Sequence, residues 1–178
     1  MPAFRRIGDE NDGWRVANTN MELEHGGEGD IGSDRMLERL IAVLRQLQWN
    51  DRPLLEDPEV RDLLGEVIQD RETERLFGLR NYWMRHANVR MSHEGAQLTY
   101  WRKGHVHRFV RRIQEMIGFY ALTRDPKYVV AQGFLELAQR SCFVTVHAGG
   151  GYNIQATIVS RRLGIGRTAR EEAGVLPT

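Results

Sequence analysis

Cysteine is almost absent from this sequence, which has Cys142 as its single thiol in 178 residues. One cysteine excludes an intramolecular disulfide framework and a cysteine-rich zinc site. No stretch approaches the ~20 consecutive apolar residues that span a bilayer, and the first fourteen residues, MPAFRRIGDENDGW, lack the apolar centre of a signal peptide. We therefore expect a soluble protein of the cytoplasm with no membrane span.

Neither sign of charge is in excess. The 25 basic residues stand against 24 acidic ones, which gives a formal net charge of +1. Such a balance creates no strong field for nucleic acid or for an anionic membrane, so no nucleic-acid partner is expected. The chain has 41% hydrophobic and 28% charged residues, which is typical of a soluble globular domain. A domain of this size buries roughly two-thirds of its unfolded surface.

Helical periodicity dominates the sequence. A first helix is predicted through Trp14–Glu24 and is stopped by Gly26 and Gly27, and residues 26–33 form a loop. Ser33 or Asp34 would cap a second helix, whose apolar stripe has the spacing i, i+3, i+4, i+7: Leu37, Leu40, Ile41, Leu44 and Leu47. The segment WNDRPLLEDP then breaks the pattern.

Four further helices complete the prediction. Asp57 followed by Pro58 is a strong start signal for a helix that runs to about Asn88. A fourth helix spans His93 to Ile117, and a fifth carries Val129, Val130, Phe134, Leu137 and Ala138 and reaches Val146. Asn153 would cap a last helix that ends near Arg162. The predicted fold class is all-α, an antiparallel up-and-down helix bundle over residues 12–168, with an N-terminal segment at 1–11 and a C-terminal tail at 169–178.

Two places combine residues that could carry chemistry. The turn Ala148-Gly-Gly-Gly-Tyr-Asn153 leads into a helix, so its free backbone N–H groups could face a phosphate or another polar ligand, or it could be an ordinary turn between helices. Glu22 and Glu24 lie at the end of the first helix. A carboxylate there could act as a base if an apolar cleft raised its pKa, or it could be a solvated helix end.

Other polar clusters favour plainer interpretations. The six histidines show no metal-ligand spacing, so no metal site is expected. Cys142, among apolar neighbours, is a core residue. One basic cluster is either a solvated helix face or a phosphate-binding surface: Arg102, Lys103, Arg108, Arg111 and Arg112.

Two segments, in their proper order, resemble the acyl-CoA dehydrogenase family, and a third element between them resembles it faintly. GDENDGWRVA at 8–17 with MELEHGG at 21–27 is similar to the family's G-E-E-N-x-G-W-x-V-A and L-x-x-E-R-G-G. AGGGYNIQATIVSRRLGIGR at 148–167 is similar to its G-G-T-S-E-I-Q-R-N-I-I-A-E-R-x-L-G-L-P-R, and IQEMIG at 113–118 faintly resembles its Q-x-x-G-G element. The resemblance implies the family's all-helical C-terminal domain.

The resemblance also implies a reaction and its residues. In the family, a glutamate removes the α-proton of an acyl-CoA while the β-hydrogen leaves as hydride to FAD. In many members that glutamate precedes the late motif, where this chain has Gly149. Other branches place it in the L-x-x-E-R motif, which makes Glu24 the expected catalytic base. Gln114, Gly150, Gly151 and Asn153 are the expected FAD-binding residues, partly across a subunit interface of the family's oligomers.

Several departures from the family pattern shape the remaining expectations. Gly151 and Asn153 stand where the family has a flavin-contacting Thr and a Glu or Gln, and the R-x-x-F-G element has no clear counterpart around Arg45–Pro53. The family's N-terminal helical domain and middle β-domain would precede residue 1, with Ala3–Ile7 as a last trace of the latter. We therefore expect a fragment, a truncated gene product or one half of a split enzyme.

The expected function is FAD-dependent α,β-dehydrogenation of an acyl-CoA, as in fatty acid metabolism, exercised with the missing domains. A homo-oligomer or a partner chain would supply those domains. Related acyl-CoA oxidases and flavin monooxygenases share the domain, so the family is better defined than the reaction. The alternative is a non-catalytic helical domain that oligomerises and stabilises an active partner.

Overall fold

Helices make up most of the structure, a computed structural model that describes residues 6–17 and 34–165. The helices are α1 (Arg35–Gln46), α2 (Pro58–His86), α3 (Glu94–Ile117), α4 (Phe134–Thr145) and α5 (Tyr152–Arg162), with 3₁₀ turns at Leu54–Glu56, Gly118–Ala121 and Ala131–Gly133. Residues 13–17 are also helical. Within these ranges no helix is both long and apolar enough to cross a membrane. The predicted all-α fold is confirmed.

Two helices begin at the aspartates that the sequence indicates. The Asp34 carboxylate accepts the N–H groups of Met36 and Leu37, each at 3.1 Å, so Asp34 rather than Ser33 caps α1. Asp57 accepts the N–H groups of the second and third residues of α2 at 2.9 and 3.3 Å, and Pro58 occupies the first position. These caps satisfy N–H groups that the helix itself leaves without acceptors.

The break between α1 and α2 contains a small hairpin that the sequence analysis did not predict. Strand β1 (Gln48–Trp49) pairs antiparallel with β2 (Arg52–Pro53), with Trp49 opposite Arg52. Asn50 and Asp51 form the turn with φ values of 51° and 61°. Left-handed residues at both central positions give the turn the twist that a two-residue hairpin needs, and Asn and Asp tolerate that conformation better than most residues.

The core lies where α1 and the first half of α2 meet the second half of α3 and the start of α4. Its members are buried hydrophobic side chains, among them Leu40, Leu44, Val67, Ile113 and Leu135. Cys142 belongs to the same cluster, as predicted, and burial raises the pKa of its thiol. The second half of α2 packs beside the first half of α3, so the long helices extend past the core.

The two last helices begin at other residues than predicted. Helix α4 starts at Phe134, because Ala131, Gln132 and Gly133 have φ values of 47°, 56° and 77° that no α-helix contains. The prediction that Val129 and Val130 lie in this helix is therefore wrong. Gly151, not Asn153, is the N-terminal cap of α5, and Asn153 is its second residue.

At the N-terminal end, part of the prediction can be compared with the structure. The predicted first helix agrees with helical residues 13–17, and its continuation to Glu24 lies outside the described residues. Arg6 and Ile7 have no regular secondary structure, and the other residues of the predicted extended piece also lie outside.

Candidate functional site

A glycine turn joins α4 to α5. Gly149 and Gly150 have φ values of 63° and 84°, in the left-handed region where a side chain would be strained. Gly151 has an ordinary φ of −59°, and a Cβ built on it would meet no atom within 4 Å. The first two glycines are thus required by the turn itself. The third leaves open space beside the first turn of α5.

Lys103 of α3 holds the turn from inside. Its Nζ donates to the carbonyl oxygens of Thr145 at 3.3 Å, of Val146 at 3.2 Å and of Ala148. The residue is only 4% exposed, and burial lowers the pKa of its ammonium group. Carbonyls at the end of a helix attract a cation, so Lys103 both closes the C-terminal end of α4 and anchors the turn that follows.

Two tyrosines fix the start of α5 against α3. The ring of Tyr152 stacks on Tyr100 with 4.4 Å between centroids, and the Tyr152 hydroxyl donates to the Tyr100 hydroxyl oxygen at 2.6 Å. That hydrogen bond, with burial, raises the pKa of Tyr152. A Cβ on Gly104 would lie 3.1 Å from the Tyr152 ring, so this glycine lets the ring approach α3. The fully buried Gln155 donates from Nε2 to the Gly149 carbonyl at 3.1 Å.

The first turn of α5 is left available to a ligand. No side chain in residues 6–17 or 34–165 caps this helix, and the N–H groups of Ile154 and Gln155 donate to the Gly151 carbonyl at 2.9 and 3.2 Å, which leaves those of Tyr152 and Asn153 for a ligand. The helix dipole makes this end favourable for a negative or polar atom. Because Gly151 has no side chain, such an atom can approach the backbone closely. The turn is thus rigid on its inner side and accessible on its outer side.

The structure brings three of the predicted site residues together. Gly150, Gly151 and Asn153 share the glycine turn and the first turn of α5, and Asn153 is exposed. Gln114 is half-buried on α3, eleven residues beyond Lys103 and therefore about 16 Å further along the helix axis. It occupies a separate position from the turn. Glu24 lies outside the described residues.

The basic cluster on α3 is largely paired with carboxylates. Arg102 donates to Glu74 at 2.7 Å, and Arg112 donates to Asp70 at 3.0 Å. Arg108 also reaches Asp70, and Arg111 pairs with Glu115 on its own helix. Lys103 is buried, so the cluster is not one continuous solvated face. The sequence offered no signal for these pairs, because the carboxylate partners on α2 are about 30 to 40 residues distant in the chain.

His105 is buried between the two long helices. It is 4% exposed, and its Nε2 lies 3.5 Å from a Glu74 carboxylate oxygen. Burial lowers the pKa of the imidazole and outweighs the opposing effect of Glu74. Among the residues described, no three His, Cys, Asp or Glu side chains come together as a candidate metal centre.

Comparison with protein families gives a match over nearly the whole described bundle. The model for the acyl-CoA dehydrogenase C-terminal domain matches residues 11–164. The chain belongs to this family. The glycine turn lies within the matched residues. No curated protein matches the chain.

Solved structures show the same fold at low sequence identity. The ChsE4-ChsE5 complex from Mycobacterium tuberculosis matches with a TM-score of 0.79 and 19% identity over 94% of this chain and 44% of that one. A glutaryl-coenzyme A dehydrogenase with glutaryl-CoA gives 0.74 and 15%, covering 99% and 42%. The FAD complex of PigA gives 0.70 and 19%, covering 93% and 42%. The chain thus spans less than half the length of these relatives.

Proposed function

We propose that this chain is the C-terminal helical part of an FAD-dependent enzyme that dehydrogenates an acyl-CoA thioester between its α and β carbons. The observation that carries the proposal is the glycine turn, which is anchored on α3 and open on its outer side at Gly151. Family membership supports it, as do relatives described as an FAD complex and as a complex with glutaryl-CoA. An oxidase or monooxygenase would use the same domain.

The residues of the turn fit a flavin. A side chain at Gly151 would fill the open space, and the uncapped start of α5 offers N–H groups to the polar edge of a ligand. Gly150, Gly151 and Asn153 would contact the flavin of FAD. Gln114, at its separate position on α3, would approach the adenine end, across a subunit interface in an oligomer.

In the proposed mechanism, this chain supplies the base and the geometry. Glu24 takes the α-proton of the thioester, and the electron pair of that C–H bond forms the new double bond as the β-hydrogen departs with its own pair. FAD, when bound, supplies the hydride acceptor. Lys103 and Tyr152 act by position: they keep the turn in place so that the ligand meets a preformed surface.

The remaining domains would come from elsewhere in the assembly. The chain covers 42–44% of the relatives compared, and one of these relatives is a complex of two named components. We propose that a homo-oligomer or a partner chain supplies the missing parts of the flavin and acyl-CoA sites, and that the assembly works in the cytoplasm.

A pair of glutamine substitutions tests the base. Glu24→Gln in the assembled enzyme should abolish bleaching of the flavin by acyl-CoA while FAD remains bound, because glutamine cannot accept the proton. Glu22→Gln is the matched control, two residues away, and should bleach normally. Bleaching by Glu24→Gln at the wild-type rate would remove Glu24 from this role.

The second candidate function is a non-catalytic assembly domain. It is favoured by Gly149, which stands where many members carry the catalytic glutamate, and by Gly151 and Asn153, which replace side chains that contact flavin in the family. This alternative predicts that an active assembly containing the Glu24→Gln chain keeps its full turnover.

A further inference from the structure

Arginine side chains join α2 to α3, and one of them has no carboxylate partner. The arginines that α3 extends to α2 pair with carboxylates of that helix: Arg102, Arg108 and Arg112. The exception is Arg80 of α2, whose Nη2 donates to the Oε1 of Gln97 on α3 at 2.9 Å. Gln97 is a neutral amide. It therefore orients the guanidinium of Arg80 without neutralising the positive charge.

The carboxylates nearest to Arg80 in the sequence are already engaged. Between residues 76 and 101, Glu94 is the single acidic residue. Its carboxylate accepts the N–H groups of Ser92 at 2.6 Å and of His93 at 3.0 Å, at the start of α3. Glu74, one turn and a half earlier on α2, pairs with two other arginines. This end of the helix pair thus has an excess of positive charge.

The guanidinium of Arg80 is partly withdrawn from water. The residue is half-buried, and its Nε is fully buried with no acceptor in the ranges 6–17 and 34–165. A cation that loses part of its hydration is stabilised when a counter-ion replaces the lost water. A half-buried arginine whose hydrogen bond goes to a neutral amide therefore indicates an anionic group from outside the described chain.

Aromatic rings lie beneath this arginine. Its Cζ is 5.2 Å from the centre of the Phe77 ring, and the Trp101 ring packs edge-on against Phe77 with 5.9 Å between centroids. Both rings are half-buried. They displace water from one side of the guanidinium, so the attraction between Arg80 and an anion is screened less than it would be at a fully solvated side chain.

Gln97 adds a second donor beside the guanidinium. Because Oε1 of this amide accepts from Arg80, the neighbouring Nε2 keeps two N–H groups, and these have no acceptor among the residues that the structure describes. The Nη1 group of Arg80 is likewise without an acceptor there. Guanidinium and amide N–H groups held side by side match an anion that carries two or more oxygens, such as a carboxylate or a phosphate.

We propose that Arg80 and Gln97 form a binding site for a small oxyanion, a carboxylate or phosphate group, at the contact between α2 and α3. Arg80 donates to the anion through its outer nitrogens. Gln97 fixes the guanidinium through Oε1 and donates to the same anion from Nε2. The site shares no residue with the glycine turn, so it does not rest on the proposed flavin site.

Thermal unfolding with sodium phosphate or sodium acetate, each compared with sodium chloride at equal ionic strength, tests the site. About 50 mM of the anion that binds should raise the midpoint of the wild type by about 2–4 °C, because it binds the folded chain alone. Arg80→Met should lose this rise. Arg90→Met is the matched control, since Arg90 is an exposed arginine of the following loop, and should keep it.

The two anions separate the two ligand chemistries. A rise with phosphate alone assigns the site to phosphate groups, and a rise with acetate alone assigns it to carboxylates. Absence of a rise with both anions in the wild type, or an equal rise in Arg80→Met, would overturn the proposal.

Gln97→Glu supplies the missing carboxylate from within the chain. The replaced oxygen already lies 2.9 Å from Nη2 of Arg80, so the variant should be at least as stable as the wild type in chloride. It should not respond to phosphate or acetate, because the internal carboxylate occupies the guanidinium. Gln69→Glu, which adds the same charge at an exposed position of α2, should respond like the wild type. An undiminished response in Gln97→Glu would contradict the site.

Arg80→Lys separates the shape of the guanidinium from its charge. Lysine keeps the positive charge and loses the planar fork, so the dissociation constant of the binding anion, measured by isothermal titration calorimetry, should rise about tenfold. An unchanged dissociation constant would show that charge alone attracts the anion, and would contradict recognition by Arg80 and Gln97 together.

Discussion

Gly65 of α2 and Gly104 of α3 both lie inside a long helix, and their surroundings differ. At Gly104 of α3, a Cβ would come within 3.1 Å of the Tyr152 ring, whereas at Gly65 of α2 it would meet nothing. Each costs its helix roughly 1 kcal/mol relative to alanine. The cost at Gly104 is offset by the contact between α3 and α5. At Gly65 the described chain contains no contact that offsets it.

The surface around Gly104 is packed against another helix of the same chain, whereas the surface around Gly65 has no packed neighbour among the described residues. Around Gly104, Lys103 and the stacked tyrosines join α3 to the glycine turn, so the turn is held in one position. Around Gly65, the side chain is absent and the nearby Ile68 is exposed. The same residue type therefore lies at a close contact in one helix and beside open space in the other.

The largest expected effect comes from filling the internal contact. Gly104→Val should destabilise the fold by about 3 kcal/mol, because its side chain collides with the Tyr152 ring in a packed contact. Urea unfolding followed by circular dichroism measures the change. Gly65→Val, the same substitution in open space, is the control and should not destabilise the monomer. Equal losses in the two variants would remove the distinction.

Removal of the cation that anchors the turn should have the next largest effect. Lys103→Met should cost about 2 kcal/mol, since three carbonyl groups lose their buried donor. Thermal and urea unfolding measure it. Lys127→Met is the matched control, because Lys127 is the other lysine of the sequence and is exposed. Similar stability of both variants would show that Lys103 does not hold the turn.

Alanine substitutions at the two glycines should have smaller effects, and the one at Gly65 should stabilise the protein. Gly65→Ala should stabilise the monomer by about 1 kcal/mol through helix propensity alone. Gly104→Ala should give no such gain, because its methyl group lies closer to Tyr152 than most packed contacts allow. Unfolding at dilutions where the chain is monomeric compares them, and a gain at both positions would argue against the internal contact.

The smallest expected effect is a pH dependence of stability that comes from His105, which is buried between α2 and α3. Burial lowers the pKa of His105 from 6.5, so below pH 6.5 the unfolded chain binds a proton that the folded chain does not. This contribution to stability is present above pH 6.5 and is lost as the pH falls toward the folded-state pKa. The slope of stability against pH that one such proton can cause is at most about 1.4 kcal/mol per pH unit.

A glutamine substitution isolates this proton. The free energy of unfolding is measured from about pH 7 to about pH 5, in steps of about one pH unit. As the pH falls, it should decrease less steeply for His105→Gln than for the wild type. His107→Gln, an exposed neighbour on the same helix, is the control. Parallel curves for wild type and His105→Gln would exclude His105 as the source.

Most of the fold was predictable from local signals. Asp34 and Asp57 are strong caps whose effect acts within three residues, and the long apolar stripes of α1 and α3 set their extent. The start of α4 was not predictable, because Val129 and Val130 fit a helical stripe while left-handed residues at 131–133 break the backbone. The hairpin at Trp49 is too short to show a strand period.

The candidate site was predictable only in part. The glycine turn and its helix follow from motif and glycine content, and family membership agrees with the resemblance. The role of Lys103 was not predictable, because its acceptors lie more than forty residues away in the chain and the residue itself lies in a basic cluster beside Arg102. Tyr152 and Tyr100 form a contact that only the packing of α5 on α3 creates.

The most direct test of the proposed function is FAD binding by the assembled protein with Gly151→Val beside the wild type. The Cβ of valine at this position would meet no atom within 4 Å, and valine accepts a φ of −59°, so the unfolding midpoint should change little. The wild type should bind FAD, and Gly151→Val should bind it about tenfold more weakly, a difference near 1.4 kcal/mol. Equal affinity in the two proteins, or no flavin binding by the wild-type assembly, would contradict a flavin site at the glycine turn.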